Sequence, residues 1–397
     1  MARGSITPRP TKDGKTRYRV KWESRGPDGS RRHYSATRAT KKAAEALLAE
    51  KLDEVNEGTF VVASKETVGQ YLQRWLSAAS FRYADATVYQ YEREIRLRIV
   101  PRLGGVALSK LDQITIQSMY ATLLDSKTPA ATVLQTHKVL HTALAQAVAW
   151  RLLIRNPADG VSVPRVEPSA PIVWTPDEAG AFLISAATEK DPLLPLWELG
   201  LDSGMRIGEM LALSWSDVDR QRGLVSVRRT LTGTREGWWK IGEHAKTSSS
   251  RRAIDLSPFT MAALRSWGAR QAERRLAAGE HWQDMGLVFD RGNGHWINPN
   301  TVRNAFDRAV STAKVTRITP HGMRHTMATL LLGAGVHPKI VQERLGHSSI
   351  QMTLDRYSHV SMSMQQQATE VLADVLHGGR LEDHKGRARP KRGHESG

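Results

Sequence analysis

Between residues 16 and 22 apolar and cationic side chains alternate one by one, and that period of two predicts a strand. Tyr18, Val20 and Trp22 fall on one face, and Arg17, Arg19 and Lys21 on the other. Asp28-Gly29 marks a turn, Arg31-Arg32-His33-Tyr34 reads as a second strand, and a helix runs from about Thr40 to Asn56 before Gly58. The head is thus expected to be a small β-sheet backed by one helix, with a row of cations on its exposed face. From Thr67 the period becomes helical, with segments 67–79, 84–99, 113–124 and 130–152 and with Pro101 and Gly104-Gly105 as breakers. A compact helical bundle follows from those stripes, then a Pro-rich linker from Asn156-Pro157 to Pro171. Beyond Trp174 the pattern predicts helices at 176–187, 192–203, 206–213, 258–278, 299–313, 320–333, 337–345 and 348–357. Strands at 224–230, 238–246 and 251–256 interrupt them as a small β-meander. An amphipathic helix near 363–376 precedes a Gly/Arg/Lys tail that reads as disordered.

Charge adds a partner to this picture. The 397 residues carry 57 Lys+Arg against 40 Asp+Glu, a net charge of +17. Residues 1–60 hold +6, 61–170 hold +5, 171–377 hold +3 and 378–397 hold +3, so the excess is densest in the head. Forty of the 57 basic residues are Arg, whose fork suits phosphates and base edges. A polyanion, nucleic acid first among them, is the expected partner, although a basic surface also serves solubility. A ribbon of two or three strands fits the major groove of B-DNA. Zero cysteines exclude disulfide scaffolds, Cys-based zinc fingers, iron–sulfur centres and thiol nucleophiles. The opening MARGSITPRP has no apolar signal-like region, and no apolar run reaches the roughly 18 residues of a spanning helix, so a cytoplasmic location away from membrane is expected.

Phosphate chemistry without a metal needs fixed cations, a nucleophile and a proton donor for the leaving oxygen. The segment Gly204-Met205-Arg206-Ile207-Gly208-Glu209 puts Arg206 at a helix start, with Glu209 one turn on to orient the guanidinium. Thr319-Pro320-His321-Gly322-Met323-Arg324 reads as a second helix start with Thr319 as N-cap, and His321 and Arg324 share a face. His-x-x-Arg alone is weak: the chain has three, and the pairs at 377/380 and 384/387 lie in or beside the tail. Tyrosine is more discriminating. Seven of the eight lie at or before Tyr120, and Tyr357 stands ten residues past Leu345-Gly346-His347.

In chain order Arg206, Lys246, His321, Arg324, His347 and Tyr357 resemble the catalytic set of the tyrosine recombinase (phage integrase) family. The resemblance covers roughly 172–376. Residues 65–165 are similar to that family's SAM-like core-binding domain, through Pro101-Arg102-Leu103-Gly104 and Arg155-Asn156-Pro157-Ala158, and the head to the arm-type domain of lambda-like integrases. Met323 stands where Leu is commoner, and the segment between Leu231 and Lys246, with Trp238-Trp239, is longer than in compact members. The resemblance implies a multidomain, mainly α protein with small β-sheets: an arm-type DNA-binding domain over 1–62, a core-binding helical domain over 65–155, a linker over 156–171, an α+β catalytic domain over 172–377 and a basic tail over 378–397. It further implies a metal-independent recombinase without cofactor, with Tyr357 as nucleophile forming a 3′-phosphotyrosyl bond. Arg206, Arg324 and His347 would hold the phosphate, His321 would act as acid/base, Lys246 would protonate the leaving oxygen and Glu209 would support Arg206. Partners implied are double-stranded DNA at core-type and arm-type sites, a homotetramer on a Holliday junction, an excisionase and a host DNA-bending protein. Arm contacts fall to Arg17, Arg19, Lys21, Arg31 and Arg32.

Other readings stay open at this level. The run from His244 through Lys246 to Arg251-Arg252 also suits a phosphate-tracking loop, and Lys240 is a rival proton donor. His321 and His325 have zinc-ligand spacing, but no Glu follows His321, so the metalloprotease-type motif is absent. A DNA-binding regulator without catalysis and a type IB topoisomerase are the remaining alternatives; the first leaves the six residues unexplained. The helix near 363–376 suits docking in cis or on a neighbouring protomer equally.

Overall fold

The computed structural model describes residues 3–11, 15–25, 31–57, 65–167, 171–234, 238–243, 251–347 and 349–351, together with 369 and 372. The chain forms two compact units, which divide at Pro168/Ser169 apart from a short excursion at Thr234. Separate sets of buried side chains define the head, the bundle and the C-terminal unit, the last with a second, smaller set around Met327 and Leu345.

In the head, β1 (Gly4–Pro10), β2 (Thr16–Arg25) and β3 (Arg31–Arg38) form an antiparallel sheet in that order. Helix α1 (Lys41–Asn56), capped by the Thr40 hydroxyl, covers one face. The alternation of β2 is realised: Val20 and Trp22 are buried with Ala44 and Leu47, while on the other face Arg17 and Lys21 are exposed and Arg19 is half-buried. Strand β1 escaped the sequence pattern because it carries Pro8 and Pro10 and little apolar alternation. Prolines are tolerated there because β1 is an edge strand and their missing N–H groups break no inner ladder.

The bundle comprises α2 (Val68–Ala79), α3 (Asp85–Glu94), α4 (Val100–Leu103), α5 (Gln113–Asp125) and α6 (Ala130–Ala149) around Tyr71, Leu72, Ile99, Tyr120 and Leu140. Pro101 does not break the chain as expected. A π-turn over Ile95–Ile99 joins α3 to α4, and the Val100 N–H donates to the Ile95 carbonyl, five residues back. That wider turn lets a proline, which lacks an N–H and crowds the preceding turn, sit in the first turn of α4.

The C-terminal unit packs α7 (Pro176–Thr188), α8 (Leu194–Ser203), α9 (Ile207–Leu211), α10 (Pro258–Ala278), α11 (Pro299–Ala313) and the start of α12 (Pro320–Gly333) around a core that includes Trp174, Phe182, Trp197 and Phe306, while α13 (Pro338–Leu345) packs on the rest of α12 through Val341 and Leu345. The expected meander is instead two sheets. Strands β4 (Val218–Asp219), β5 (Leu224–Val227) and β8 (Arg252–Asp255) form one, and β6 (Arg229–Gly233) with β7 (Trp239–Glu243) forms the other. The run 224–230, read as one strand, therefore breaks at Arg228. Its first half pairs with β8 and its second with β7, a choice of partner that no local pattern encodes.

Candidate active site

Arg206 occupies the N-cap position of α9, directly after α8 ends at Gly204. Gly204 has φ +63°, a left-handed conformation that favours glycine, and a Cβ there would in addition push the Met327 methyl aside. One turn into α9, Glu209 is 1% exposed. Its carboxylate accepts from the Arg206 N–H at 2.9 Å, from Arg206 Nη1 at 2.9 Å and from Arg252 Nη2 at 2.8 Å. Burial alone would raise its pKa, but the Arg252 hydrogen bond and charge, with those of Arg206, outweigh it and hold Glu209 at about 2. The Arg206 side chain is 42% exposed, so this anchored guanidinium still faces outward. Gly208 lets α9 lie against β6, because a Cβ there would meet the Leu231 carbonyl oxygen at 2.6 Å.

Arg324, on α12, is only 2% exposed. Its Nη1 donates to the Gly204 carbonyl at 2.7 Å and its Nη2 to the Leu345 carbonyl at 2.6 Å. These acceptors lie two residues before Arg206 and two before His347. One guanidinium thus ties the segment bearing Arg206 to the segment bearing His347. His347 is itself buried and follows Gly346, which ends α13 in the left-handed conformation; its carbonyl accepts from Gln342 Nε2 at 3.0 Å. His321, one turn before Arg324, is exposed and stacks edge-on against His325 with ring centroids 4.7 Å apart. Thr319 takes the N-cap position, but its hydroxyl makes no capping hydrogen bond, contrary to the sequence expectation.

Lys246 and Tyr357 lie outside the described residues. In the sequence, segment 244–250, which contains Lys246, lies between β7 of one sheet and β8 of the other. Its rival Lys240 sits in mid-strand opposite Thr232. No group of three or more metal-ligating side chains occurs among the described residues, the His321/His325 pair included. Arg252 is the residue the sequence reading missed, having been grouped with a phosphate-tracking loop. The usable signal was alternation: Arg252 shares a strand face with Ile254 and Leu256, both buried.

In the head, the register sets Arg9 opposite Arg17, Thr7 and Thr37 opposite Arg19, and Ser5 and Ser35 opposite Lys21. A cationic row flanked by hydroxyls results, and Arg19 Nη2 donates to Ser35 Oγ at 3.2 Å. Arg31 and Arg32 are adjacent in β3 and point to opposite faces, Arg31 on the face of Arg17, Arg19 and Lys21 and Arg32 on that of Trp22 and Tyr34.

The pattern of the phage integrase family matches residues 175–364, and that of the phage integrase N-terminal SAM-like domain matches 67–124. Together they span more than half of the chain. It belongs to the phage integrase family. A tyrosine recombinase XerC-like protein of Caldanaerobacter subterraneus subsp. tengcongensis is 29% identical over 385 residues, 92% of this chain and 98% of its own. An integrase of Streptomyces ambofaciens is 27% identical over 83% of this chain and 86% of its own. Among solved structures, the Tn1549 transposon integrase in complex with a circular intermediate DNA superposes with TM-score 0.65 at 23% identity, over 78% of this chain and all of that one. A lambda integrase tetramer bound to a Holliday junction gives 0.55 at 18%, over 88% and 94%. The fold is that of the tyrosine recombinases, with an N-terminal sheet, a SAM-like bundle and an integrase catalytic domain.

Proposed function

We propose that this integrase cuts and rejoins double-stranded DNA at specific sites through a covalent bond to Tyr357, moving a mobile element into and, with a partner, out of a host chromosome. Metal-independent site-specific recombination of the tyrosine type is the activity of its family. The observation that carries the assignment of residues is the Arg324 brace, which gathers the Arg206 and His347 segments around one guanidinium.

A phenol with a pKa near 10 is only about one part in a thousand ionised at pH 7, so the nucleophile needs help. Arg206 and Arg324 hold the non-bridging oxygens and His347 adds a hydrogen bond, which stabilises the pentavalent state. Tyr357 Oη attacks phosphorus and its proton passes to His321. The bond from phosphorus to the 5′ oxygen breaks, and Lys246 supplies the proton that this oxygen takes up. The 3′-phosphotyrosyl ester conserves the bond energy, so no nucleotide or metal cofactor is consumed. Attack by the 5′-hydroxyl of another strand reverses the sequence and joins the ends. Losing one oriented donor of this kind typically costs about 10²–10³ in rate.

The head, with Arg17, Arg19, Lys21 and Arg31, takes arm-type DNA, and the bundle takes core-type DNA. Assembly as a homotetramer around a Holliday junction, cytoplasmic action on the nucleoid, and help from an excisionase and a host DNA-bending protein complete the reading. The lambda integrase tetramer bound to a Holliday junction supports the assembly by analogy of fold. Incubation with two differently marked duplexes carrying the attachment site tests the reading: recombinant products are expected. Relaxation of supercoils without exchange would favour a type IB topoisomerase instead, and binding without breakage a regulator.

A further inference from the structure

Arg252 has no place in the six-residue set, yet it touches both the carboxylate that anchors Arg206 and the last turn of α13. It opens β8 one residue past segment 244–250, which carries Lys246, and its side chain is only 7% exposed. Nη2 donates to Glu209 Oε2 at 2.8 Å, and Nε donates to the Arg344 carbonyl at 2.7 Å. Arg344 lies in the last turn of α13, three residues before His347. Its own Nη2 donates to the Asp202 carbonyl at 2.8 Å, near the end of α8. The Asp202 side chain accepts through Oδ2 from the Ser257 N–H at 2.7 Å, which closes the framework at the start of α10.

Arg252 turns all three guanidinium nitrogens to protein acceptors, Nε to the Arg344 carbonyl and Nη1 and Nη2 to the Glu209 carboxylate. Glu209 in turn holds Arg206 through both its N–H and its guanidinium. Without Arg252, that carboxylate would lose its buried counter-charge and keep only the partner that is 42% exposed. Arg252 also meets the carbonyl that precedes Leu345-Gly346-His347.

We infer that Arg252 is a positioning residue for DNA cleavage: it fixes Glu209 as the platform that aims Arg206, and holds the strand after Lys246 and the turn before His347 in register with it. The inference rests on the recombinase reading above. The residue acts through others and touches no reacting atom.

The test uses the full chain and a nicked duplex whose sequence comes from mapping covalent adducts of the wild-type protein across host and element DNA. Equilibrium binding by gel shift and single-turnover adduct formation are measured for Arg252→Met, Arg252→Lys, Glu209→Gln and the double variant Glu209→Gln/Arg252→Met. Arg252→Met should bind DNA within about threefold of wild type and form adduct about 10²-fold more slowly, as a misplacement of about 1 Å would produce. Lysine keeps the charge but not the fork, so Arg252→Lys should recover part of the loss and stay about tenfold slow. The double variant should be no slower than the slower single one. A merely structural role predicts something else: binding and folded fraction fall together, and the rate per folded molecule stays unchanged. That result, or losses that multiply in the double variant, overturns the inference. Should Arg252→Met fail to fold, a wild-type adduct rate in Arg252→Lys overturns it equally. A wild-type chain that forms no adduct on any fragment overturns the recombinase reading, whereas wild-type adducts with unimpaired Arg252 variants overturn this inference alone.

Discussion

Replacing Glu209 with Gln removes a buried charge that faces two guanidiniums while leaving its shape nearly intact. Glu209 ionises at about 2 in the folded chain, against an ordinary value of 4.5. A gap of that size is worth about 3 kcal/mol of folding stability. The sign follows from the direction: the folded state prefers the ionised form, so the contribution is complete above about pH 4.5 and lost as pH falls through about 2. Glu209→Gln also leaves Arg252, 7% exposed, without its carboxylate, and breaking a buried pair from one side costs about 3–5 kcal/mol. At pH 7 the C-terminal unit should therefore lose about 3 kcal/mol, and the difference from wild type should shrink between pH 4.5 and 2. Urea unfolding followed by tryptophan fluorescence reports on this unit, since eight of the eleven tryptophans lie at or beyond Trp174. Comparing the two proteins at each pH cancels the titration of every other carboxylate. A difference under about 0.5 kcal/mol at pH 7, or one that does not narrow in acid, would refute the claim that Glu209 is a charged keystone.

Three further outcomes are expected. Gly204→Ala forces a side chain into a left-handed residue and against Met327, so stability should fall by about 2 kcal/mol or more, and adduct formation with it because the Gly204 carbonyl holds Arg324; unchanged unfolding would contradict this. Arg19→Ala with Lys21→Ala should flatten the slope of log affinity against log salt for duplex DNA by about two, at roughly 0.9 per phosphate contact. Arg32→Ala, on the opposite face, should leave that slope unchanged, and an equal effect from all three would undo the face assignment. Lys246→Ala should cleave a normal phosphodiester about 10²–10³-fold more slowly but recover on a bridging 5′-thio substrate, whose leaving group needs no proton; absence of recovery would move the acid role elsewhere, with Lys240 next to be tested.

Local signals explain which parts of this architecture were legible in advance. Helices α10 and α11 begin where Ser257 and Asn298 cap them, each with Pro in the first turn, and their expected ranges coincide with the observed ones. The alternation of Tyr18, Val20 and Trp22 likewise assigns the faces of β2 directly. What stayed hidden depends on partners distant in sequence. Strand β5 ends at Val227 because β8 claims it, and β6 restarts at Arg229 because β7 does. Pro101 reads as a breaker until the π-turn at Ile95–Ile99 absorbs it. At the site, order along the chain picked out Arg206, His321, Arg324 and His347, because their motifs are compact. The supports that join them, Arg324 to the Gly204 and Leu345 carbonyls and Arg252 to Glu209, span 21 to 120 residues and leave no periodic trace.

The account's central claim is that Tyr357 becomes joined to a 3′ phosphate of DNA. Digesting a trapped complex with protease and nuclease, then sequencing the nucleotide-bearing peptide by mass spectrometry, tests it most directly. The expected peptide carries the nucleotide on Tyr357 through its 3′ phosphate, and Tyr357→Phe yields none while still shifting the same duplex in a gel. A nucleotide on any other residue, a 5′ linkage, or an adduct that survives in Tyr357→Phe would contradict the assignment.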